Sequence, residues 1–313
     1  MRNSLCLLWL NFSNTFVQHE SSHVLKHFHN IILPAIFSIT FFPATAQVNE
    51  PKATNPDWSK PYPPFRIAGN LYYVGTYDLA CYLITTTQGN ILINTGLASS
   101  ADQLKKNIET LGFKFRDTKI FLTTQVHYDH VGAIAEIKKE TGAQVIVDEK
   151  DAPVLAEGGS SDYAFGGNGM IFQPVKPDRL LRNGDTIQLG NMQVIMLHHP
   201  GHTKGSCSFL FTVNDEKRSY RVLIANMPTI ITNKRFADVT TYADISKDYA
   251  YTLHAMKNIR FDIWLASHAS QFNLHDKHKP GDAYNPGGFK DQQGYDAALT
   301  DLQKQYDEKM RKE

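Results

Sequence analysis

Cysteine is scarce in this chain. Three occur in 313 residues, Cys6, Cys81 and Cys207. No two stand in C-x-x-C spacing, so thiolates are not the main ligands of a metal site. A charge imbalance is lacking too. The 32 basic and 31 acidic residues leave a net charge of +1, which gives no footprint for nucleic acid or for a membrane surface. No apolar run is long enough to span a bilayer. Ile31 to Phe42 covers 12 residues and contains Pro34, against the roughly 20 that a membrane helix needs. What the sequence does have is enough length to bury a full core and 13 histidines, four of them before residue 30.

That short apolar run has a different meaning. Lys26, His27 and His29 precede it, and Ala44-Thr45-Ala46 follows it as a small-x-small cleavage site. The pattern is that of a secretory signal peptide, so residues 1–46 read as a leader and Gln47 as the first mature residue. Residues 1–23 lengthen the basic region beyond what such a peptide uses, and a start nearer Val24 is expected. No lipid-attachment cysteine stands at the cleavage site, which points to the periplasm with no membrane attachment after cleavage. In an oxidising compartment Cys81 and Cys207 could pair or stay free; spacing does not decide it.

The mature chain, residues 47–313, reads as one α+β domain. Residues 47–64 are rich in Pro and Asn and form an extended arm. Short apolar runs then alternate with turns at Gly69-Asn70, Asp78 and Gly89-Asn90, as strands do. Leu104, Ile108 and Leu111 recur at helical spacing. A second round begins near Arg182, and residues 243–258 and 291–312 read as helices. Strands open each half and helices close it. The expected architecture is two β-rich layers inside two helical layers, with a site between the halves.

The chemistry is concentrated at strand ends. Ile120-Phe121-Leu122 reads as a buried strand, and His127-Tyr128-Asp129-His130 follows on the turn into a helix over Val131–Ile137. Two imidazoles and a carboxylate within four residues form a metal-ligand cluster. His202 follows the strand Met192–Leu197 through Pro200-Gly201, and His268 follows Phe261–Ala266 through Ser267. A lone buried histidine is more often a satisfied core residue. Here five such groups lie just past apolar strands, at the end where open α/β sheets place their sites. Imidazole with carboxylate suits a borderline ion such as Zn²⁺. His198 and His199 read as packing or supporting groups, and His254, His275 and His278 as non-ligands. Tyr73, Tyr77 and Phe165 are candidates for the groove wall, or equally for ordinary packing.

Those marks, H-x-D-H at residues 127–130, Pro-Gly-His-Thr at 200–203 and Ser267-His268, resemble the metallo-β-lactamase superfamily from about Phe65 to Phe289. Phe65 to Asp78 and Ala225-Asn226-Met227-Pro228 are similar to its class B, subclass 3 branch of the GOB type. The resemblance implies a four-layer αβ/βα sandwich with two zinc sites in the groove. By position, Gln125, His127 and His202 would hold the first Zn²⁺, and Asp129, His130 and His268 the second. The usual motif has a histidine where this chain has Gln125. A neutral amide oxygen is a poorer ligand than imidazole, so the first site is expected to be the weaker. Asn94 replaces an aspartate usual in the superfamily. Met227 stands where other subclasses place a cysteine ligand.

The resemblance further implies a β-lactam substrate (penicillins, cephalosporins and carbapenems) hydrolysed by a metal-activated hydroxide. Asp129 would orient that water. Thr229 and Met227 would contact the substrate, and the enzyme would be a monomer conferring antibiotic resistance. A lactonase or thioester hydrolase on the same scaffold is one alternative. A binding protein that lost catalysis with Gln125 is another. For the leader, the intact mass of the exported protein should correspond to a chain beginning at Gln47. A mass beginning well upstream would refute that boundary.

Overall fold

Burial on both faces is what the apolar runs at Ile91–Ile93 and Ile120–Leu122 require, and the fold supplies it. The computed structural model describes residues 47–53 and 55–313. The leader assigned to residues 1–46 lies outside the described residues. The first sheet has seven strands in sequence order: β1 (Phe65–Ala68), β2 (Leu71–Tyr73), β3 (Tyr82–Thr86), β4 (Gly89–Ile93), β5 (Thr118–Leu122), β6 (Gln144–Asp148) and β7 (Arg179–Leu181). Its first four strands are antiparallel, and β4 to β7 are parallel. The second sheet holds β8 (Thr186–Leu189), β9 (Met192–His198), β10 (Cys207–Asn214), β11 (Ser219–Ala225) and β12 (Ile263–Ala266), ordered 12-11-10-9-8.

The two-residue period of a strand assigns each face. In β4 and β5, Ile91, Ile93, Ile120 and Leu122 face the second sheet and join Val194, Met196, Phe209 and Ile224 in one core. The alternate residues Leu92 and Phe121 point the other way. They meet Leu104 and Ile108 of α1 (Ala101–Thr110) and Ile134 and Ile137 of α3 (Ile134–Thr141). Across the second sheet, Trp264 packs with Leu253 of α5 (Ile245–Met256) and with Tyr295 and Leu299 of α6 (Gln292–Met310). The expected helix–sheet–sheet–helix order is the observed one.

The helix expected over Val131–Ile137 is broken in two. Tyr128–Val131 forms a short helix α2, and α3 starts only at Ile134. Gly132 lies at the break. Its amide donates to Gly96 O at 2.9 Å, and a side chain there would stand 2.4 Å from the Ala98 nitrogen. Two backbones cross at that point, and only glycine admits the crossing. Asp129 and His130 therefore sit on a helical turn rather than in a loop. The two described cysteines, Cys81 and Cys207, are buried free thiols. No helix among the described residues is long and apolar enough to cross a membrane.

One carboxylate joins the two halves. Asp151, which precedes α4 (Ala152–Ala156), is 1% exposed. Its Oδ2 accepts from Val126 N at 3.0 Å and from Thr203 Oγ1 at 2.7 Å, and its Oδ1 accepts from Gly205 N at 2.7 Å. Val126 belongs to the first half, and Thr203 and Gly205 to the second. Asp151→Ala would leave three buried donors unpaired, so it should cost about 3 kcal/mol. The urea midpoint of the variant measures this, and a loss below about 1 kcal/mol would contradict the bracket.

Candidate metal centre

Each predicted ligand leaves the fold at the carboxyl end of a strand. The strand β5 ends at Leu122 and feeds Gln125, His127 and α2. His202 follows β9 and His268 follows β12. Asn94, just past β4, has φ +63°, a conformation that asparagine tolerates better than most side chains. Its Oδ1 accepts from Thr124 N at 3.0 Å and its Nδ2 donates to Ala80 O at 3.3 Å. A neutral amide can do both, which aspartate cannot. Asn94 thus pins the start of the ligand loop.

The structure brings Asp129, His130 and His268 together, with one ligand atom from each within 4.8 Å of the others. Asp129 Oδ2 lies 3.3 Å from His130 Nε2 and 3.4 Å from His268 Nε2. Burial alone would raise the Asp129 carboxyl; the two imidazoles outweigh that and hold it well below the usual carboxylate range. For His130, burial dominates and lowers the imidazole, favouring the neutral form that a ligand needs. Beside this triad, the rings of His127 and His202 are 4.9 Å apart. Gln125 is 3% exposed, and its Oε1 has no hydrogen-bond partner; nor has His130 Nε2. Buried acceptors left unpaired at the edge of a carboxylate–imidazole cluster fit a divalent ion as their missing partner.

The outward nitrogens of the imidazoles are held as ligand histidines usually are. His202 Nδ1 donates to Thr229 O at 2.8 Å, leaving Nε2 as the nitrogen with a free lone pair. Burial lowers its pKa to about 3, so it is neutral. His268 Nδ1 meets Asp78 Oδ2 at 3.1 Å. Burial would lower His268, but Asp129 and Asp78 outweigh it and raise the metal-free imidazole to about 9. His127 Nε2 lies 3.2 Å from Asp162 Oδ2, at an angle unlike that of a hydrogen bond.

Sequence reasoning missed Asp78, Asp162 and Asp151, because carboxylates in turns carry no spacing signal. Asp162 lies in the Gly-rich stretch 158–169 and accepts from Ala164 N and Phe165 N at 2.8 and 2.7 Å. Those bonds also place the Phe165 ring 5.0 Å from His127, edge to face, so Phe165 does line the groove. Tyr73 does not: it is fully buried and donates to Thr76 O. Tyr77 stacks on His275 at 3.7 Å. Met227, expected at the substrate, is buried. It is 2% exposed and packed in the cluster between the sheets. Thr229 instead meets His202 through its carbonyl and through its Oγ1 at 3.1 Å. His198 and His199 pair with Asp148 Oδ2 and Ser208 Oγ, both at 2.7 Å. Asp162→Asn keeps the two amide acceptances and removes the charge facing His127. Affinity at the His127–His202 site should fall about tenfold, with the urea midpoint unchanged. Competition with a chromophoric chelator measures this; unchanged affinity would refute the role of Asp162.

The pattern of the metallo-beta-lactamase superfamily matches residues 76–215. The class B3 di-zinc metallo-beta-lactamase LRA-12 from an Alaskan soil metagenome is 68% identical, with a TM-score of 0.83; the match covers 83% of this chain and 99% of that one. The metallo-beta-lactamase GOB-18 from Elizabethkingia meningoseptica is 57% identical, with a TM-score of 0.85, over 86% of this chain and 100% of that one. A probable metallo-hydrolase from Burkholderia pseudomallei is 32% identical over 117 residues, 36% of this chain and 37% of that protein. The chain spans half or less of the length of the first three curated relatives it matches. With a match at 68% identity over 83% of its length, the chain belongs to the metallo-beta-lactamase superfamily, in the GOB-type branch of class B3.

Proposed function

We propose that this protein is a zinc-dependent β-lactamase that hydrolyses the amide of penicillins, cephalosporins and carbapenems, and so confers resistance to them. The observation that carries the reading is the Asp129–His130–His268 convergence beside the unpaired Gln125 Oε1. The class B3 relatives that match over their whole length, one of them described as di-zinc, support it. Gln125, His127 and His202 are the proposed residues of one site, and Asp129, His130 and His268 those of the other. Zn²⁺ bound there would lower the pKa of its water towards neutrality and polarise the lactam carbonyl.

The chain's own groups do the remaining work. Asp129 stays anionic across the working pH range, since its pKa lies well below the usual carboxylate value. It is therefore an acceptor that orients the attacking water through a hydrogen bond. His202 is kept in one tautomer by the Thr229 carbonyl. Phe165 and Tyr128, with rings 5.4 Å apart, form an apolar flank for the substrate body. Thr229 Oγ1 is the proposed donor to the substrate carboxylate. No serine nucleophile and no acyl-enzyme is needed. For export we propose signal cleavage after Ala46 and a periplasmic location.

The test is hydrolysis of a carbapenem by the purified mature protein. Turnover should be present with zinc, abolished by a chelator and restored by zinc. Absence of turnover in zinc-supplemented buffer would overturn the reading. Asp129→Asn removes the anionic acceptor, and kcat should drop by at least about a hundredfold while the circular dichroism spectrum is retained.

A further inference from the structure

We propose that the N-terminal arm is a working part of the metal centre: Trp58 clamps the Asp78 carboxylate that orients His268, and thereby sets the metal affinity of the Asp129–His130–His268 site. This rests on the reading above, that the triad holds zinc.

The arm is first fixed in place. Asn55 Oδ1 accepts from Asp57 N at 3.0 Å, and Pro56 opens a single 3₁₀ turn over Pro56–Trp58. Proline supplies the required φ without further loss of chain entropy. The arm is then zipped to the turn that carries Asp78. Tyr77 N donates to Lys60 O at 2.8 Å, and Asp78 N donates to Asp57 O at 3.2 Å. Upstream, Asn49 N donates to Met170 O at 2.7 Å, and Glu50 Oε1 accepts from Ala98 N at 2.9 Å. These bonds run from the Gly-rich stretch to the His268 side of the centre.

At the end of that path the indole Nε1 donates to Asp78 Oδ2 at 3.1 Å. The same oxygen receives His268 Nδ1 at 3.1 Å, while Oδ1 receives Ser270 N at 2.9 Å. The carboxylate is thus held from three directions, and one of them is the arm. The indole ring also lies 5.6 Å from the His268 ring, tilted by 44°, and shields a pair in which Asp78 is 6% exposed. Without the indole N–H, Asp78 loses a restraint and the aim of His268 loosens. The Trp58 N–H donates to Asp78 and not to a residue of the triad, so Trp58 is a positioning residue.

The test compares the mature protein with Trp58→Phe, Trp58→Ala, Asp78→Asn and the Trp58→Phe/Asp78→Asn pair. Phenylalanine keeps a ring and deletes the donor. Zn²⁺ affinity is read by competition with a chromophoric chelator, and the geometry of the triad site by the visible bands of the Co²⁺ form. Trp58→Phe should weaken the triad site about tenfold, the low end for loss of an outer partner of a metal ligand. It should also shift the Co²⁺ bands and leave the urea midpoint of the metal-free protein unchanged. In the pair, Trp58→Phe should add nothing to the loss from Asp78→Asn, because both act through one carboxylate. Wild-type affinity in Trp58→Phe, or additive losses in the pair, would overturn the proposal. So would a raised KM at unchanged affinity, which would make the arm only a wall of the groove. If the unaltered protein binds no Zn²⁺, it is the zinc reading itself that fails.

Discussion

The geometry of this centre depends on one buried carboxylate. Asp151 accepts from the amide between Gln125 and His127, and from the hydroxyl and amide of Thr203 and Gly205, which flank the stretch after His202. Gln125 and His127 come from the first half of the chain, and His202 from the second. Sheet packing alone would fix their separation only as well as two apolar faces can register. Three hydrogen bonds to one rigid group fix it to the precision a metal site demands. The cost of this arrangement is visible in the carboxyl itself, which burial raises to about 6. Gly201 completes the approach: it has φ +126°, and a side chain there would press on the Tyr249 ring at 2.9 Å.

A second regularity is the use of turn carboxylates as outer partners. Asp162 faces His127, and Asp78 faces His268, each across a short gap. For Asp78, burial alone would raise the carboxyl, but His268 and the Ser270 amide outweigh it and lower the pKa to about 2. It is thus a fixed negative charge behind the imidazole, of the kind that increases the basicity of a ligand histidine. Both carboxylates sit on segments that are otherwise loop. On the proposal above, metal affinity depends on the placement of the Gly-rich stretch on one side and of the N-terminal arm on the other. Function in this scaffold is carried by loops at strand ends, while the sheets supply stiffness.

Below the ligands lies a small polar floor that the apolar core cannot supply. Ser267 Oγ donates to Thr124 Oγ1 at 2.9 Å, and Ser208 Oγ accepts from Asn226 N at 3.1 Å while meeting His199 Nδ1 at 2.7 Å. These bonds link polar groups where strand ends meet beneath the site. His199 is held neutral there, burial lowering it to about 3.

The sequence by itself determined the layers and the identity of the candidate ligands. Alternating and continuous apolar runs report burial on one or two faces, and histidines or an aspartate just past such runs report a strand-end site. Both signals are local, so they survive in one dimension. Local signals failed at the break in the helix near Gly132, where the cause is a second backbone crossing from Gly96 to Ala98. They are silent on the burial of Met227, which depends on the neighbouring sheet. What only the tertiary structure decided is which turn carboxylates stand behind which imidazoles. Asp78 meets His268 across 190 residues and Asp151 meets Thr203 across 52. A carboxylate in a turn looks the same in sequence whether it faces water or a ligand, because its partner is set by packing rather than by spacing.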